Sequence, residues 1–340
     1  MLPFAVLAAT AAAASGTVHL TGTAYEFNNT KVVLGGAQIR VAEDPRLGAT
    51  VRPDGTYDLA VPSGRRITPY INAAGHHTIY LQTFTTTKGY DLEHVNFQTP
   101  SDAIYGALAA LLQVPVGPDG NPQQCAVVST FSTRDVRALD YRHFTGYGAH
   151  GVAGATASAS PALPAPIYFN KDVIPDRSQP RSSADGGVIW PVVPAGTYTF
   201  TAHAARTRFA SFTATCAPGR VVNANPPWGL HELGLPNPAT YTSGWNGTRP
   251  KTFTLAKLPK ASRITLTYGG ATKTLATKTT KSTFDLASRL PRKLRAGRTL
   301  TVDITANAYD GVRLTLKLRS HRAPTVTATA LPLGGGPPQR

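Results

Sequence analysis

Two stretches of the sequence repeat the same succession of turns and strands, and this repetition restricts the fold more than any other feature. They cover residues 35–68 and 151–198. Each runs from Gly-Ala through an Asp-Gly turn into an alternating apolar strand that ends in Val-Pro-x-Gly. Asp-Gly supplies the positive φ of a tight hairpin, and Pro followed by Gly fixes a second turn. Because such a hairpin buries only one face, it needs a second sheet to cover it, so we predict two tandem β-sandwiches.

The residues of this pattern resemble the carboxypeptidase regulatory-like, transthyretin-like family of β-sandwiches. The resemblance implies a non-catalytic accessory or surface module with a carbohydrate-binding-like fold. The zinc carboxypeptidase domain that such modules accompany has a His-x-x-Glu pair, whereas His231 and Glu232 of this chain are adjacent. That catalytic domain is therefore not expected here. The residues that carry the likeness are Gly35–Ala37, Asp54–Tyr57, Val61–Gly64 and their counterparts within Gly154–Tyr198.

The basic residues are concentrated near the C-terminus. Residues 239–340 contain 18 of the 34 Lys and Arg residues but only 3 of the 18 Asp and Glu residues. The first 238 residues are nearly neutral, and the last part of the chain carries almost all of the net charge of +16. A block of this kind attracts polyanions, and salt weakens the attraction. A solvated basic surface without a partner is the alternative.

The N-terminal segment and the two cysteines indicate export. Residues 2–15 are apolar and then rich in small residues, as in a signal peptide with its cleavage site. Cys125 and Cys216 fit an oxidising compartment and bracket the second repeat. We therefore predict a disulfide between them, with two buried free thiols as the alternative. We expect a secreted or cell-surface monomer with no transmembrane span.

The chain divides into segments at Pro- and Gly-rich stretches. We expect an all-β protein with two transthyretin-like or Ig-like sandwiches, a third small β-sandwich, and one helix near 102–113. In that helix Ile104, Ala107, Leu108, Leu111 and Leu112 should lie along one face. The expected segments are a signal-peptide-like 1–15, sandwiches 16–118 and 119–236, a basic β-domain 237–328, and a disordered tail 329–340. Residues 294–306 resemble a basic β-module found at the C-termini of exported bacterial proteins.

The second repeat carries an insertion that the first one lacks. The Gly-Ala to Asp-Gly spacing grows from 18 positions in the first copy to 31 in the second, and we place the insertion at 162–181. Its Pro content predicts a stiff, ordered loop. Insertions on a rigid sandwich commonly carry binding or catalytic residues.

No reaction motif is visible in the sequence. Gly-x-Ser-x-Gly, His-Glu-x-x-His and phosphate-loop patterns are missing. The loop 141–150 contains Tyr141, His143, Tyr147 and His150, residue types that hold iron on a related sandwich in one enzyme class, although there they are dispersed. A metal site of His143, His150 and Asp172 is therefore the alternative to a protein without cofactors.

Aromatic residues in the connectors and the insertion suggest a stacking surface for a ligand. The sequence-based prediction is binding, adhesion or display without turnover, with carbohydrate or anionic cell-wall polymer as the partner. Nucleic acid is not expected, because the basic block has few aromatic residues and no recognition motif. The alternative is a metal-dependent enzyme with its site on loops of the second sandwich. The candidate ligand-binding residues are Tyr168, Phe169, Trp228, His231 and Trp245.

Overall fold

The computed structural model describes residues 16–134, 136, 150–276, 282–291, 293–306 and 309–331. Within them, six sheets and one α-helix account for the regular structure, apart from short 3₁₀ turns. The prediction of an all-β chain is confirmed. The single helix, α1, spans Asp102–Leu112 and is too short to cross a membrane, and no other helix among the described residues has the required length and apolarity.

The strands follow the alternation of apolar and polar residues in the sequence. In the first half they are β1 (Thr17–Glu26), β2 (Asn29–Val33), β3 (Gln38–Val41), β4 (Asp44–Thr50), β5 (Thr56–Pro62), β6 (Arg66–Ile67), β7 (Pro69–Asn72), β8 (Ile79–Tyr80), β9 (Phe84–Thr85) and β10 (Phe97–Thr99). In the second they are β11 (Cys125–Thr130), β12 (Thr156–Ser160), β13 (Ile167–Phe169), β14 (Pro175–Asp176), β15 (Gly187–Val193), β16 (Gly196–His203), β17 (Phe212–Cys216) and β18 (Val221–Ala224). The last module has β19 (Thr240–Asn246), β20 (Arg249–Ala256), β21 (Arg263–Tyr268), β22 (Ala271–Ala276), β23 (Phe284–Asp285), β24 (Thr299–Thr305), β25 (Gly311–Lys317) and β26 (Thr325–Leu331).

One nine-stranded sheet runs through both halves of residues 16–236. Its order is β14-β13-β15-β11-β18-β8-β7-β3-β4. Strand β18 lies at the junction, parallel to β11 on one side and parallel to β8 on the other. The two repeats, predicted to be consecutive sandwiches, therefore share a sheet.

Smaller sheets cover the two ends of this long sheet. In the first half, β1 with β2, β5 and β10 packs over β3, β7 and β8, and the core between them contains Leu20, Leu59 and Ile71. In the second half, β12-β16-β17 packs over β11 and β15 around Trp190, Phe200 and Phe212. Each half is thus a two-layer β-sandwich.

The repeated Asp-Gly turns form where predicted, but they do not make hairpins. Asp54 accepts hydrogen bonds from the backbone and hydroxyl of Thr56, and Gly55 has a φ of +84°. The strands on either side pair with different partners, since β4 pairs with β3 and β5 with β1. The turn before β15 likewise joins β14 to a strand that pairs with β13 and β11. The turn reverses the chain locally, while burial of alternate side chains decides which strand each segment joins.

The disulfide joins the two layers of the second half. Cys125 in β11 and Cys216 in β17 are bonded, as predicted, with 91 positions between them and 5.5 Å between their Cα atoms. Because β11 belongs to the nine-stranded sheet and β17 to its cover, the bond fixes the spacing of the sandwich.

Helix α1 begins as predicted but buries only part of its apolar face. The Oγ of Ser101 accepts a hydrogen bond from the N–H of Ile104, the interaction of an N-cap. Ala109 and Leu112 are buried, whereas Leu111 is 54% exposed and Ala107 is also exposed. The predicted apolar face is therefore only partly buried. The more buried residues of the helix lie on the rows 104–108–112 and 105–109.

The insertion is a β-hairpin and not a loop. Strands β13 and β14 pair with each other, and β13 pairs with β15, so the hairpin extends the edge of the nine-stranded sheet. Arg177, directly after β14, donates a hydrogen bond of 2.9 Å to the last helical carbonyl, that of Leu112. The inserted residues therefore connect the sheet edge to α1.

The C-terminal module is a separate two-layer sandwich. A three-stranded sheet, β19-β20-β23, faces a five-stranded sheet, β22-β21-β24-β25-β26, around Phe253, Leu266 and Val302. Strand β26 extends to Leu331 and so includes three residues of the expected tail. Arg313 donates to both oxygens of Asp303 at 2.7 Å and also donates to the Gly89 carbonyl, which connects this module to the first half.

We expect replacement of both cysteines, Cys125→Ser with Cys216→Ser, to lower the free energy of unfolding by about 4–5 kcal/mol, since the bond closes a long loop in the unfolded chain. Urea unfolding of the variant and the native protein measures this. An unchanged free energy, or two titratable thiols in the denatured native protein, would contradict the structural role of the bond.

Candidate functional site

Most of the predicted ligand-binding aromatic residues support the cores. The Tyr168 hydroxyl accepts a hydrogen bond from the Ala157 N–H. Trp228 donates from Nε1 to the Glu93 carbonyl at 3.0 Å and packs edge-on against Phe84 of the first half. These two rings are buried within the protein.

The other three predicted ligand-binding residues do not join them in one surface. His231 is only 1% exposed, and Trp245 is half-buried against the C-terminal core. Phe169 is buried beneath α1, but it also borders a cleft. The described residues therefore contain no shared stacking platform made of these five side chains.

The predicted metal residues are not brought together by the described part of the chain. His143 lies outside the described residues, as do Tyr141 and Tyr147. Asp172 is exposed and binds the Lys171 ammonium at 2.8 and 3.0 Å, while His150 borders the cleft. Among the described residues there is no group of three His, Cys, Asp or Glu side chains that could hold a metal ion.

A cleft of about 450 Å³ opens where the two halves meet. The first half contributes the β1–β2 turn and β10, and the second contributes β11, the β13–β14 hairpin, the turn before β15 and β18. Its apolar walls include Phe27, Phe169 and Val128, and its polar groups include Asn28, Gln98, Thr130, Lys171, Asp185 and Asn223. Strands β11, β13 and β18 of the wall belong to the nine-stranded sheet, and β10 belongs to the sheet that covers it. A hydrogen bond from Asn223 of β18 to the Gln98 carbonyl of β10 connects the two sheets at the cleft.

Two side-chain acceptors in the cleft have unused capacity. Asn223 is only 7% exposed and donates from Nδ2 to the Gln98 carbonyl at 3.3 Å. Asp185 accepts from the Gly187 N–H through Oδ2 at 3.0 Å. Within the described residues, neither Oδ1 atom receives a hydrogen bond. Both atoms remain able to accept from a bound molecule.

Gly187 makes room for the apolar wall. A Cβ atom at this position would lie 2.6 Å from the Phe169 ring and 2.7 Å from the Asp185 carboxylate. The bare backbone therefore lets the ring and the carboxylate approach the same point of the cleft.

The serine in the cleft is not poised for nucleophilic chemistry. Ser129 is buried, and its hydroxyl donates to the Ala224 carbonyl at 2.9 Å while accepting from the Leu230 N–H at 3.2 Å. Both hydrogen bonds tie β11 to the segment around β18. The Ser129 hydroxyl therefore stabilises the fold.

The tip of the inserted hairpin holds a strained residue at the cleft. Val173 lies in the left-handed region with a φ of +64°, which is unfavourable for a β-branched side chain. Asn170 holds the turn, because its Oδ1 accepts from the N–H groups of Asp172 and Ile174. Strain of this kind persists only where the surrounding structure imposes it, and it is common at binding sites.

A second polar surface lies at one end of the C-terminal module. The segment between β18 and β19, which we call the connector, meets the module where Leu235 forms a bridge with Tyr309, beyond the end of β24. The opposite end of the module lies at Thr299, which pairs with Lys317. We call this opposite end the distal end and define it by five exposed basic residues, Arg295, Arg298, Lys317, Arg319 and Arg322.

The acids of the module do not neutralise the distal end. Asp303 is held by Arg313, Asp310 accepts from the Gly234 N–H, and Asp285 accepts from the Ala287 N–H. In the part of the chain that the structure describes, the five distal residues form no ion pair. The sequence showed the excess of charge but not its position.

Comparisons with known proteins give no family. No protein-family model matches the sequence, and no curated protein matches it. Among solved structures, the Bacillus anthracis TIE protein is 12% identical over 90% of this chain and 49% of its own, with a TM-score of 0.19. A streptococcal ancillary pilin is 10% identical over 93% and 95% of the two chains, with a TM-score of 0.20. The chain thus spans about half the length of the Bacillus protein.

Burial raises the pKa of Asp185 above its ordinary value of 3.8, and the hydrogen bond from Gly187 opposes this only in part. Ionised Asp185 therefore destabilises the fold at neutral pH, and this cost disappears below pH 3.8, where the carboxyl is protonated in both the folded and the unfolded chain. We expect Asp185→Asn to raise the melting temperature at pH 7 and to change it less at pH 3.5. Thermal unfolding at the two pH values measures this, and a variant less stable than the native protein at pH 7 would contradict it.

Proposed function

We propose that this protein is a secreted or cell-surface binding protein that acts without turnover. In this proposal residues 16–236 form a scaffold that presents the cleft and its surrounding loops. The C-terminal module, from residue 237, attaches the scaffold to an anionic polymer of the cell envelope. The disulfide between Cys125 and Cys216 supports an oxidising location, since such bonds persist outside the cytoplasm.

The cluster of cations at the distal end, unpaired within the described residues, is the observation that carries the proposal. Five cations on neighbouring segments, without acidic partners among the described residues, create a positive potential facing away from the connector. The seven-residue strands between connector and distal end span roughly 20 Å. A polymer bound at the distal end would therefore leave the scaffold projecting from the envelope.

The chemistry of the surface favours a flexible polyanion over a structured partner. Long Lys and Arg side chains gain little from single exposed ion pairs but respond strongly to a dense array of negative charge. The Trp and Phe side chains of the module, Trp245, Phe253 and Phe284, lie in its core or pack against it, which disfavours base stacking with single-stranded nucleic acid. Carboxylate, sulfate or phosphate groups on a polysaccharide chain supply the matching charge.

Reversal of the distal charges should weaken retention on an anionic polysaccharide. We expect affinity for immobilised alginate to fall by at least about tenfold, because each cation near an anionic surface contributes about 1 kcal/mol. Native binding should also weaken as salt rises. The test variant combines Arg295→Glu, Arg298→Glu, Lys317→Glu and Arg319→Glu.

A control with the same charge change on the scaffold separates a local site from net charge. It should bind alginate nearly as well as the native protein, and neither protein should bind neutral dextran. Equal losses in the two variants, or retention that survives distal reversal, would refute anchoring by the distal end. The control combines Lys31→Glu, Arg65→Glu, Arg66→Glu and Lys88→Glu, all at exposed positions.

A further inference from the structure

The cleft between the halves has the composition of a site for an uncharged, hydroxyl-rich molecule. Its volume of about 450 Å³ lies in the range of roughly 300–1,000 Å³ that is typical of small-molecule sites. The wall combines apolar groups, such as Phe27 and Val128, with three side-chain amides, Asn28, Gln98 and Asn223. An amide offers donors and an acceptor side by side, which suits neighbouring hydroxyl groups.

We propose that this cleft binds a neutral saccharide, with Asn223 and Asp185 accepting hydrogen bonds from its hydroxyl groups. The Oδ1 atoms of both residues lack a hydrogen bond within the described residues, and Asn223 is more than nine-tenths buried. Neither oxygen is fully buried, so both reach the cleft and can accept from a hydroxyl group that replaces solvent there. Sugar hydroxyls donate, and the apolar C–H faces of a sugar ring fit the walls.

The charges of the cleft disfavour an anionic ligand. Lys171 at the rim is neutralised by Asp172, and Asp185 forms no ion pair with the described residues. A carboxylate or phosphate would meet Asp185 as a like charge. The cleft and the distal end therefore select different chemistry, and binding at one is independent of binding at the other.

The strained hairpin tip gives the cleft a fixed apolar edge. Val173 is 36% exposed and lines the cleft in a left-handed conformation. An ordinary surface turn would carry Gly or Asn in that conformation. Here a valine presents its methyl groups to the cleft while Asn170 holds the backbone in place.

The test uses the full-length protein and a panel of neutral disaccharides: maltose, cellobiose, lactose and N,N′-diacetylchitobiose. Saturation-transfer NMR identifies a bound sugar, and calorimetric titration at pH 7 gives its affinity. We expect at least one sugar to bind saturably. Asp185→Asn should weaken that binding about tenfold, the loss expected when a charge-assisted hydrogen bond becomes a neutral one.

The matched control is Asp44→Asn, the same chemical change on a carboxylate of β4 that pairs with Arg46 at the opposite edge of the nine-stranded sheet. It should leave the affinity unchanged, as should the four distal reversals. Because Asp185→Asn is expected to be at least as stable as the native protein, its loss of affinity would not reflect misfolding. Absence of binding to every sugar of the panel at millimolar concentration, or equal affinity in native and Asp185→Asn proteins, would overturn the proposal.

Discussion

The pairing of one four-residue strand on both of its sides organises the scaffold. Strand β18 is hydrogen-bonded to β11 and to β8, and so makes one sheet from two repeats. The segment around it also completes the first core, because Val221 and Trp228 pack among residues that precede position 100. The cleft depends on the same strand, since Asn223 of β18 lies between wall elements from the two halves. The fold and the candidate site therefore both depend on the pairing of β18 with β11 and β8.

Local features of this fold were accessible from the sequence, and its connectivity was not. The Asp-Gly turns, most strands and the cap at Ser101 follow from residue chemistry within a few positions. The partners of β4 and β5 depend on which distant strands bury their side chains, and a turn motif contains no such information. The parallel pairing of β18 with β8 joins residues about 140 positions apart, which no periodic pattern encodes.

The candidate sites divide in the same way. The basic module was visible as composition, whereas its distal end appeared only once β24 and β25 were placed in register. Aromatic residues such as Tyr168 and Trp228 looked suitable for a ligand, but large rings are also the side chains that cores need most. The acceptors in the cleft gave no sequence signal. Asn223 and Asp185 differ from other polar residues in that they line the cleft, each with an Oδ1 atom that receives no hydrogen bond from the described residues. The insertion was the one local indication that this region differs between the repeats.

We expect residues 16–236 to unfold as one cooperative unit joined through β18. Hydrogen exchange of the full-length chain across a urea series tests it directly, by following β5 in the first half and β15 in the second. We predict that amides 57–61 and 188–193 lose protection at the same urea concentration, because neither core is complete without the shared sheet. Loss of protection in β5 at clearly lower urea, while β15 and β18 stay protected, would contradict this expectation.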